Sequence, residues 1–143
     1  MSVNLKSIHI GKMIRQRMKE CGVGVERAAK FLKIREEEVV KIYDRKSIDS
    51  SQLLNWSKLL EYDFFRIYSQ HLILYAPQDK NKPKRKKTDT VLPCFKKNIY
   101  THEVIMFLVE LVESERKSAR DIQKEYNIPL TTILRWVDKY GKE

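Results

Sequence analysis

The sequence contains little glycine, proline or cysteine. Its 143 residues include four glycines, four prolines and two cysteines. So little glycine, together with few β-branched alternations, predicts an all-α fold. No apolar run approaches the roughly 20 residues that a membrane span needs, and the start MSVNLKS lacks the apolar stretch of a signal peptide. We therefore expect a soluble cytoplasmic protein with no membrane partner.

The sequence also lacks the motifs of catalysis and of metal binding. Cys21 and Cys94 are far apart and have no zinc spacing with His9, His71 or His102. We interpret both cysteines as free thiols in a reducing compartment, and we predict no metal and no cofactor. There is no Gly-rich phosphate loop, nucleophile elbow or paired His-carboxylate motif, so the chain is not expected to be an enzyme.

Positive charge is abundant and unevenly distributed. The formal net charge of +10 indicates an anionic partner. Residues 77–98 carry eight Lys or Arg against two Asp, whereas residues 1–76 carry fourteen against nine and residues 99–143 carry seven against eight. More than half of the excess charge therefore lies in one short segment.

That segment, PQDKNKPKRKKTDTVLPCFKKN, has the prolines and polar residues of an extended linker. Its cations are predicted to contact DNA phosphates without reading bases, and those we select are Lys82, Lys84, Arg85, Lys86 and Lys87. Minor-groove entry, a nuclear address in a eukaryote and a merely solubilising disordered linker are the alternatives. Val91, Leu92 and Phe95 are expected to dock onto the domain that follows.

Residues 118–140, SARDIQKEYNIPLTTILRWVDKY, predict two short helices joined by a tight turn. Ser118 can cap the first helix and Asp121 suits its first turn. Asn127 tolerates the left-handed conformation that a reversal needs, and Pro129 suits the opening of a second helix. The inward residues of that second helix are predicted to be Ile133, Trp136, Val137 and Tyr140; Leu130, Thr131, Thr132, Arg135 and Lys139 then lie outside.

This stretch resembles the helix-turn-helix of small insertion-sequence transposase subunits. The matches are Ser118, Ile122, Tyr126, Ile128, Thr131, Thr132, Ile133 and Trp136, while Gln123 and Asn127 stand where the family has Ala and Gly. The resemblance extends upstream through residues 100–114 and implies a three-helix domain over 99–143. It implies base contacts by Thr131, Thr132 and Arg135 and a phosphate contact by Lys139. An ordinary helical hairpin for protein contact is the alternative.

Residues 1–76 predict a five-helix domain around one core, with helices over 8–20, 25–32 and 36–43, from 49 or 50 to 60, and over 64–75. This arrangement resembles the phage-repressor-like (Cro/XRE-type) helix-turn-helix family. The residues that carry the resemblance are Ile10, Gly11, Ile14, Ala29, Leu32, Ile34, Val39 and Ile42. Lys33 departs from it, because the family favours Gly there.

Three glutamates, Glu36, Glu37 and Glu38, open the third predicted helix. In the family this helix reads DNA, but carboxylates at its front repel phosphates. They also stabilise a helix N-terminus through its dipole. Whether residues 36–43 read DNA is therefore left open, with homodimerisation or docking onto another protein as the alternative.

Together these features predict a sequence-specific double-stranded DNA-binding protein of the bacterial nucleoid, acting as a transcriptional regulator. Two helix-turn-helix bundles, 1–76 and 99–143, are joined by the basic linker 77–98. One alternative is a non-catalytic DNA-binding subunit of a transposition system. The other is a protein-interaction adaptor that dimerises through residues 1–76.

Overall fold

The computed structural model describes residues 4–77, 90–93, 95 and 98–141. That part of the chain contains helices and no strand, which confirms the all-α prediction. The helices are α1 Ile10–Cys21, α2 Val25–Leu32, α3 Glu36–Ile42, α4 Ser50–Leu60, α5 Phe65–Tyr75, α6 His102–Glu113, α7 Ala119–Tyr126 and α8 Leu130–Tyr140. None of these helices has the length and apolar character needed to span a bilayer.

Local signals in the sequence set where most helices begin and end. Gly22 ends α1 in the left-handed conformation, with φ of 65°, and its N–H donates to the carbonyls of Lys19 and Met18. Asp49 begins α4, where its carboxylate accepts from the N–H groups of Ser51 and Gln52. The predicted helices accordingly agree with the observed ones to within two residues at each end.

The chain divides into two compact units, which we call the first unit, Asn4–Tyr68, and the second unit, Ser69–Glu143. The core of the first unit is a buried cluster with side chains from α1 to α5; its largest fully buried members are Trp56, Phe64, Ile10, Ile14 and Leu60. Gly11 lies where α1 touches the segment after α3. A Cβ there would meet the carbonyl oxygens of Ile42, Tyr43 and Arg45, so only glycine fits.

Helix α5 contributes to both units. Ile67 belongs to the core of the first unit, whereas Gln70 and Leu74 are buried residues of the second. The Gln70 side chain is fully buried, where its amide nitrogen donates to the Ile99 carbonyl and its oxygen accepts from the Thr101 N–H at 2.8 Å. A buried amide with both functions satisfied fixes the chain just before α6.

The observed core of the first unit therefore contains side chains from all five predicted helices, but none from the C-terminal half of α5. The predicted domain limits, 1–76, 77–98 and 99–143, and the arrangement as two bundles stay predictions, because most of the predicted linker lies outside the described residues.

The core of the second unit is built mainly from α6, α7 and α8. Its buried apolar side chains include Val104, Leu108, Val109, Ile122, Ile128 and Ile133. Tyr100 stands edge-on to Trp136, with ring centroids 5.1 Å apart. Thr101 caps α6 through its side-chain oxygen, which accepts from the Val104 N–H. The contact between Tyr100 and Trp136 joins the start of α6 to α8.

The prediction that Val91, Leu92 and Phe95 dock onto the second unit is wrong. All three side chains are exposed, and Val91 and Phe95 are almost completely so. The prediction assumed that apolar residues beside a core must join it. Burial needs a complementary surface as well as an apolar side chain.

Candidate nucleic-acid interface

Helix α7 begins in a capping box. The Ser118 hydroxyl accepts from the Asp121 N–H at 3.2 Å, and the Asp121 carboxylate accepts from the Ser118 N–H at 3.1 Å. These bonds satisfy two backbone donors that a helix N-terminus would otherwise leave unpaired. Because its ionised form accepts hydrogen bonds from Ser118, first from the backbone, the pKa of Asp121 lies below its ordinary value of 3.8. The predicted cap is confirmed.

The turn between α7 and α8 is made by residues 127–129. Asn127 has φ of 57° and ψ of 40°, and its N–H donates to the Gln123 carbonyl at 3.1 Å. Ile128 points into the core, and Pro129 has the extended conformation of a residue that begins a helix. The predicted left-handed Asn127 and the predicted opening at Pro129 are both confirmed.

Helix α8 buries one face and exposes the other. Ile133 and Trp136 are buried, and Val137 and Tyr140 are half-buried. The sequence-predicted site residues Thr131, Arg135 and Lys139 are exposed at four-residue spacing, so they lie along one side of the helix. Thr132 is half-buried and stands at the edge of this surface, where its N–H donates to the Pro129 carbonyl at 3.0 Å.

Two further side chains of α8 belong to the exposed surface and were missed from the sequence. Leu134 is 51% exposed, although it lies between buried Ile133 and exposed Arg135. Asp138 is exposed one turn after Leu134. A strict count of helical positions from Ile133 and Trp136 could have placed both outward. We call the set Thr131, Leu134, Arg135, Asp138 and Lys139 the α8 surface.

The cations nearest this helix pair differ in the contacts that their side chains make. Lys117 forms an ion pair with Glu125, and that hydrogen bond is the main cause of its raised pKa. Lys139 stands over the ring of Tyr140, with its Nζ 5.1 Å from the centroid. Arg120 and Lys124 are exposed on α7, one helical turn apart. The outer side of α7 can therefore offer two cations to a phosphate backbone.

The first unit contains a second pair of helices with the same turn. Lys33 ends α2 with φ of 57° and ψ of 42°, and Arg35 begins α3 in an extended conformation. Glu36, Glu37 and Glu38 are all exposed, and Val40 behind them is 50% exposed. The outward surface of α3 is therefore acidic and partly apolar, which is the opposite of what a phosphate backbone attracts.

An open cavity of about 500 Å³ lies between α2 and the start of α3. Its charged lining consists of Glu26, Lys30, Arg35, Glu36 and Glu37. Acidic and basic groups alternate there, and Lys30 is paired with Glu26 at 3.3 Å. The cavity thus has no single charge preference that would define a ligand.

The remaining residues named from the sequence are the linker cations and the two cysteines. Lys82, Lys84, Arg85, Lys86 and Lys87 lie outside the described residues, as does Cys94. Cys21 is an exposed free thiol. Across the described ranges, no three His, Cys, Asp or Glu side chains gather as metal ligands would.

Comparison of the chain with protein-family models, with curated proteins and with solved structures finds no match. The two family resemblances drawn from the sequence therefore remain predictions.

Proposed function

We propose that this protein binds double-stranded DNA sequence-specifically and acts as a transcriptional regulator, with α8 entering the major groove. The observation that carries the proposal is the α7 and α8 pair. Two short helices meet at a left-handed Asn127, and the second exposes Thr131, Arg135 and Lys139 along one side. A helix pair of this kind, with a polar and basic second helix, suits major-groove reading.

The dimensions of α8 agree with this role. From Thr131 to Lys139 the helix rises about 12 Å, at 1.5 Å per residue, which is close to the width of the major groove. Arg135, in the middle, can donate two hydrogen bonds to guanine, and Thr131 can contact a base edge. Lys139 suits a phosphate at the border of the groove, as do Arg120 and Lys124 on α7. The basic residues 82–87 of the linker would add phosphate contacts that depend on salt but not on sequence.

Asp138 is the one acidic residue of the α8 surface. Its carboxylate is exposed between the levels of Arg135 and Lys139, so it would repel a nearby phosphate. It can instead accept a hydrogen bond from the amino group of a cytosine. On the proposed function Asp138 therefore selects among sequences and lowers general affinity.

The test is selection of random duplex DNA by the full-length protein at physiological salt, followed by sequencing. An enriched motif is expected, and a Thr131→Ala/Arg135→Ala variant should lose it. The matched control is Glu36→Gln/Glu37→Gln, which alters the exposed surface of α3 and should keep the same motif. Two half-sites about one helical turn apart would indicate a dimer or engagement of both helix pairs. Retention governed by salt alone, with no motif in any selection, would contradict the proposal.

One observation favours a second candidate, a protein-interaction adaptor. The acidic and partly apolar surface of α3, with three glutamates before Val40, suits a basic protein partner or a second copy of the chain better than DNA. On this candidate the linker cations only solubilise. Weak binding to every duplex that disappears at moderate salt, together with dimers in sedimentation analysis that Val40→Glu disrupts, would support it over the regulator.

A further inference from the structure

Helix α1 carries a row of cations along its solvent side. Lys12, Arg15 and Lys19 are all exposed, and their spacing confines them to an arc of about 60° over a rise of about 10 Å. Among the described residues none of the three forms an ion pair. Arg17, by contrast, is half-buried, and its guanidinium is held by Glu20 and by the Leu60 carbonyl. The row therefore presents three uncompensated charges.

Two more exposed cations lie close to the start of α1. The N–H of Ile10 donates to the Lys46 carbonyl at 3.1 Å, and the N–H of Gly11 donates to the Arg45 carbonyl at 3.0 Å. These bonds fix residues 45 and 46 beside the first turn of α1, where both are exposed. We call Lys12, Arg15, Lys19, Arg45 and Lys46 the α1 basic patch.

The backbone beneath the patch and the side chain of Arg15 are held by neighbouring groups. The Arg15 guanidinium carbon stands 5.7 Å from the centre of the Tyr43 ring, and the Tyr43 hydroxyl reaches the sulfur of buried Met18. Gly11 allows α1 to touch the backbone of residues 42–45. Two acids border the patch: Glu20 is already paired with Arg17, and Asp44 is exposed next to Arg45.

We propose that the first unit binds the phosphate backbone of double-stranded DNA through the α1 basic patch and reads no bases there. Exposed cations at this spacing neutralise phosphates, whereas the acidic surface of α3 repels them. The choice of double-stranded DNA rests on the proposed function of α8. It also rests on the absence of exposed large apolar side chains from α1, since single-stranded bases need stacking partners and membranes need apolar anchors.

The experiment measures the salt dependence of DNA affinity for the full-length protein. The variant Lys12→Gln/Arg15→Gln/Lys19→Gln removes three patch charges from exposed positions. The matched control, Arg27→Gln/Lys30→Gln/Lys58→Gln, removes three exposed charges of the same unit outside the patch. Each protein is titrated with two duplexes, the selected motif and a scrambled sequence of equal length, from 50 to 200 mM salt. Circular dichroism and thermal unfolding verify that both variants fold.

The patch variant should lower the slope of log affinity against log salt by about 2 to 3, because each phosphate contact contributes about 0.9. The loss should be equal on both duplexes, so the ratio of their affinities stays unchanged, and the control should lose much less. Equal losses in patch variant and control, or an unchanged slope, would overturn the proposal.

The same design separates this inference from the proposed function. If selection yields no motif, sequence-specific reading by α8 fails, yet the scrambled duplex still tests the patch. Vesicles of phosphatidylserine and phosphatidylcholine provide the membrane alternative. If the patch variant loses vesicle binding and keeps its DNA slope, the patch is a lipid surface and the proposal is overturned.

Discussion

Lys33 and Asn127 have nearly the same left-handed backbone conformation, with φ of 57° in both and ψ of 42° and 40°. Each residue ends the first helix of a pair, and each N–H donates to the carbonyl four residues earlier, that of Ala29 or of Gln123. The second helix then begins three residues later in both units. Two different sequences therefore build one turn, and the strain that each turn carries depends on which side chain occupies it.

The first prediction concerns this strain. An L-residue pays about 1 to 2 kcal/mol in the left-handed region, less for Asn than for Lys, while glycine costs about 0.4 to 1 kcal/mol through the entropy of the unfolded chain. Lys33→Gly should therefore raise the free energy of unfolding by about 0.5 to 1 kcal/mol, and Asn127→Gly should change it little. Urea unfolding followed by circular dichroism measures both.

The control is Arg27→Gly, an exposed substitution inside α2, which should lower the free energy of unfolding by about 1 kcal/mol. A Lys33→Gly protein that is destabilised as much as this control would show that Lys33 is not strained.

The second prediction concerns the pH dependence of the α7 cap. The pKa of Asp121 is lowered in the folded protein, chiefly by the hydrogen bond from the Ser118 backbone. A depressed acid pKa stabilises the fold fully above the unfolded value of 3.8, and the stabilisation is lost as pH falls through the folded value. The difference in melting temperature between wild type and Asp121→Asn should thus be constant from about pH 5 to pH 8 and shrink below about pH 4.

Ser118→Ala provides the matched control, because it removes the hydroxyl acceptor but leaves the carboxylate to titrate. Its difference from wild type should persist to a lower pH than that of Asp121→Asn. If the Asp121→Asn difference stays constant down to pH 2, the carboxylate does not stabilise the cap.

Local features of this fold were predictable because local chemistry decides them. The side chains of Ser118 and Asp49 accept hydrogen bonds from the first N–H groups of a helix. Gly22 ends a helix because it adopts the left-handed conformation easily. In all three cases the residue type alone indicated the helix boundary. Asn127 was predictable for the same reason. Lys33 was not assigned a left-handed conformation, since nothing in a lysine side chain favours it and the surrounding packing imposes it.

Features that depend on distant partners were not predictable. In the sequence, Gln70 is simply a polar residue within an apolar helix. It can be buried only because the backbone of residues 99–101 supplies hydrogen-bond partners for its side chain. The same limit applies to Phe95, where the sequence shows an apolar residue but not whether a surface receives it.

The third prediction separates base contact from phosphate contact on α8. On the selected duplex, Arg135→Ala should cost about 1 to 3 kcal/mol of binding free energy and relax the preference at one base pair. Lys139→Ala should weaken binding to every duplex equally and reduce the salt slope by about 1. Titrations of both variants against the selected duplex and its single-base variants measure the difference. Equal loss on all sequences for Arg135→Ala would mean that Arg135 contacts phosphate only.

The fourth prediction concerns Leu134, whose exposed side chain lies beside Arg135 on the α8 surface. An exposed leucine on a groove-reading helix gains free energy by covering the methyl group of a thymine. Replacing that thymine by uracil removes the methyl group alone, and a lost methyl contact of about 0.8 kcal/mol corresponds to about fourfold weaker binding. We expect this loss at one thymine of the selected motif for the wild-type protein.

In Leu134→Ala the same uracil substitution should have almost no effect, because the contact is already gone. Lys139→Ala, which alters the same helix without touching the proposed contact, should keep the full fourfold sensitivity. Comparing both proteins on both duplexes isolates the contact between the Leu134 side chain and the thymine methyl group. Instability of the variant, or a general loss of affinity, would affect both duplexes alike. If the wild type binds thymine and uracil duplexes equally at every position, Leu134 reads no methyl group.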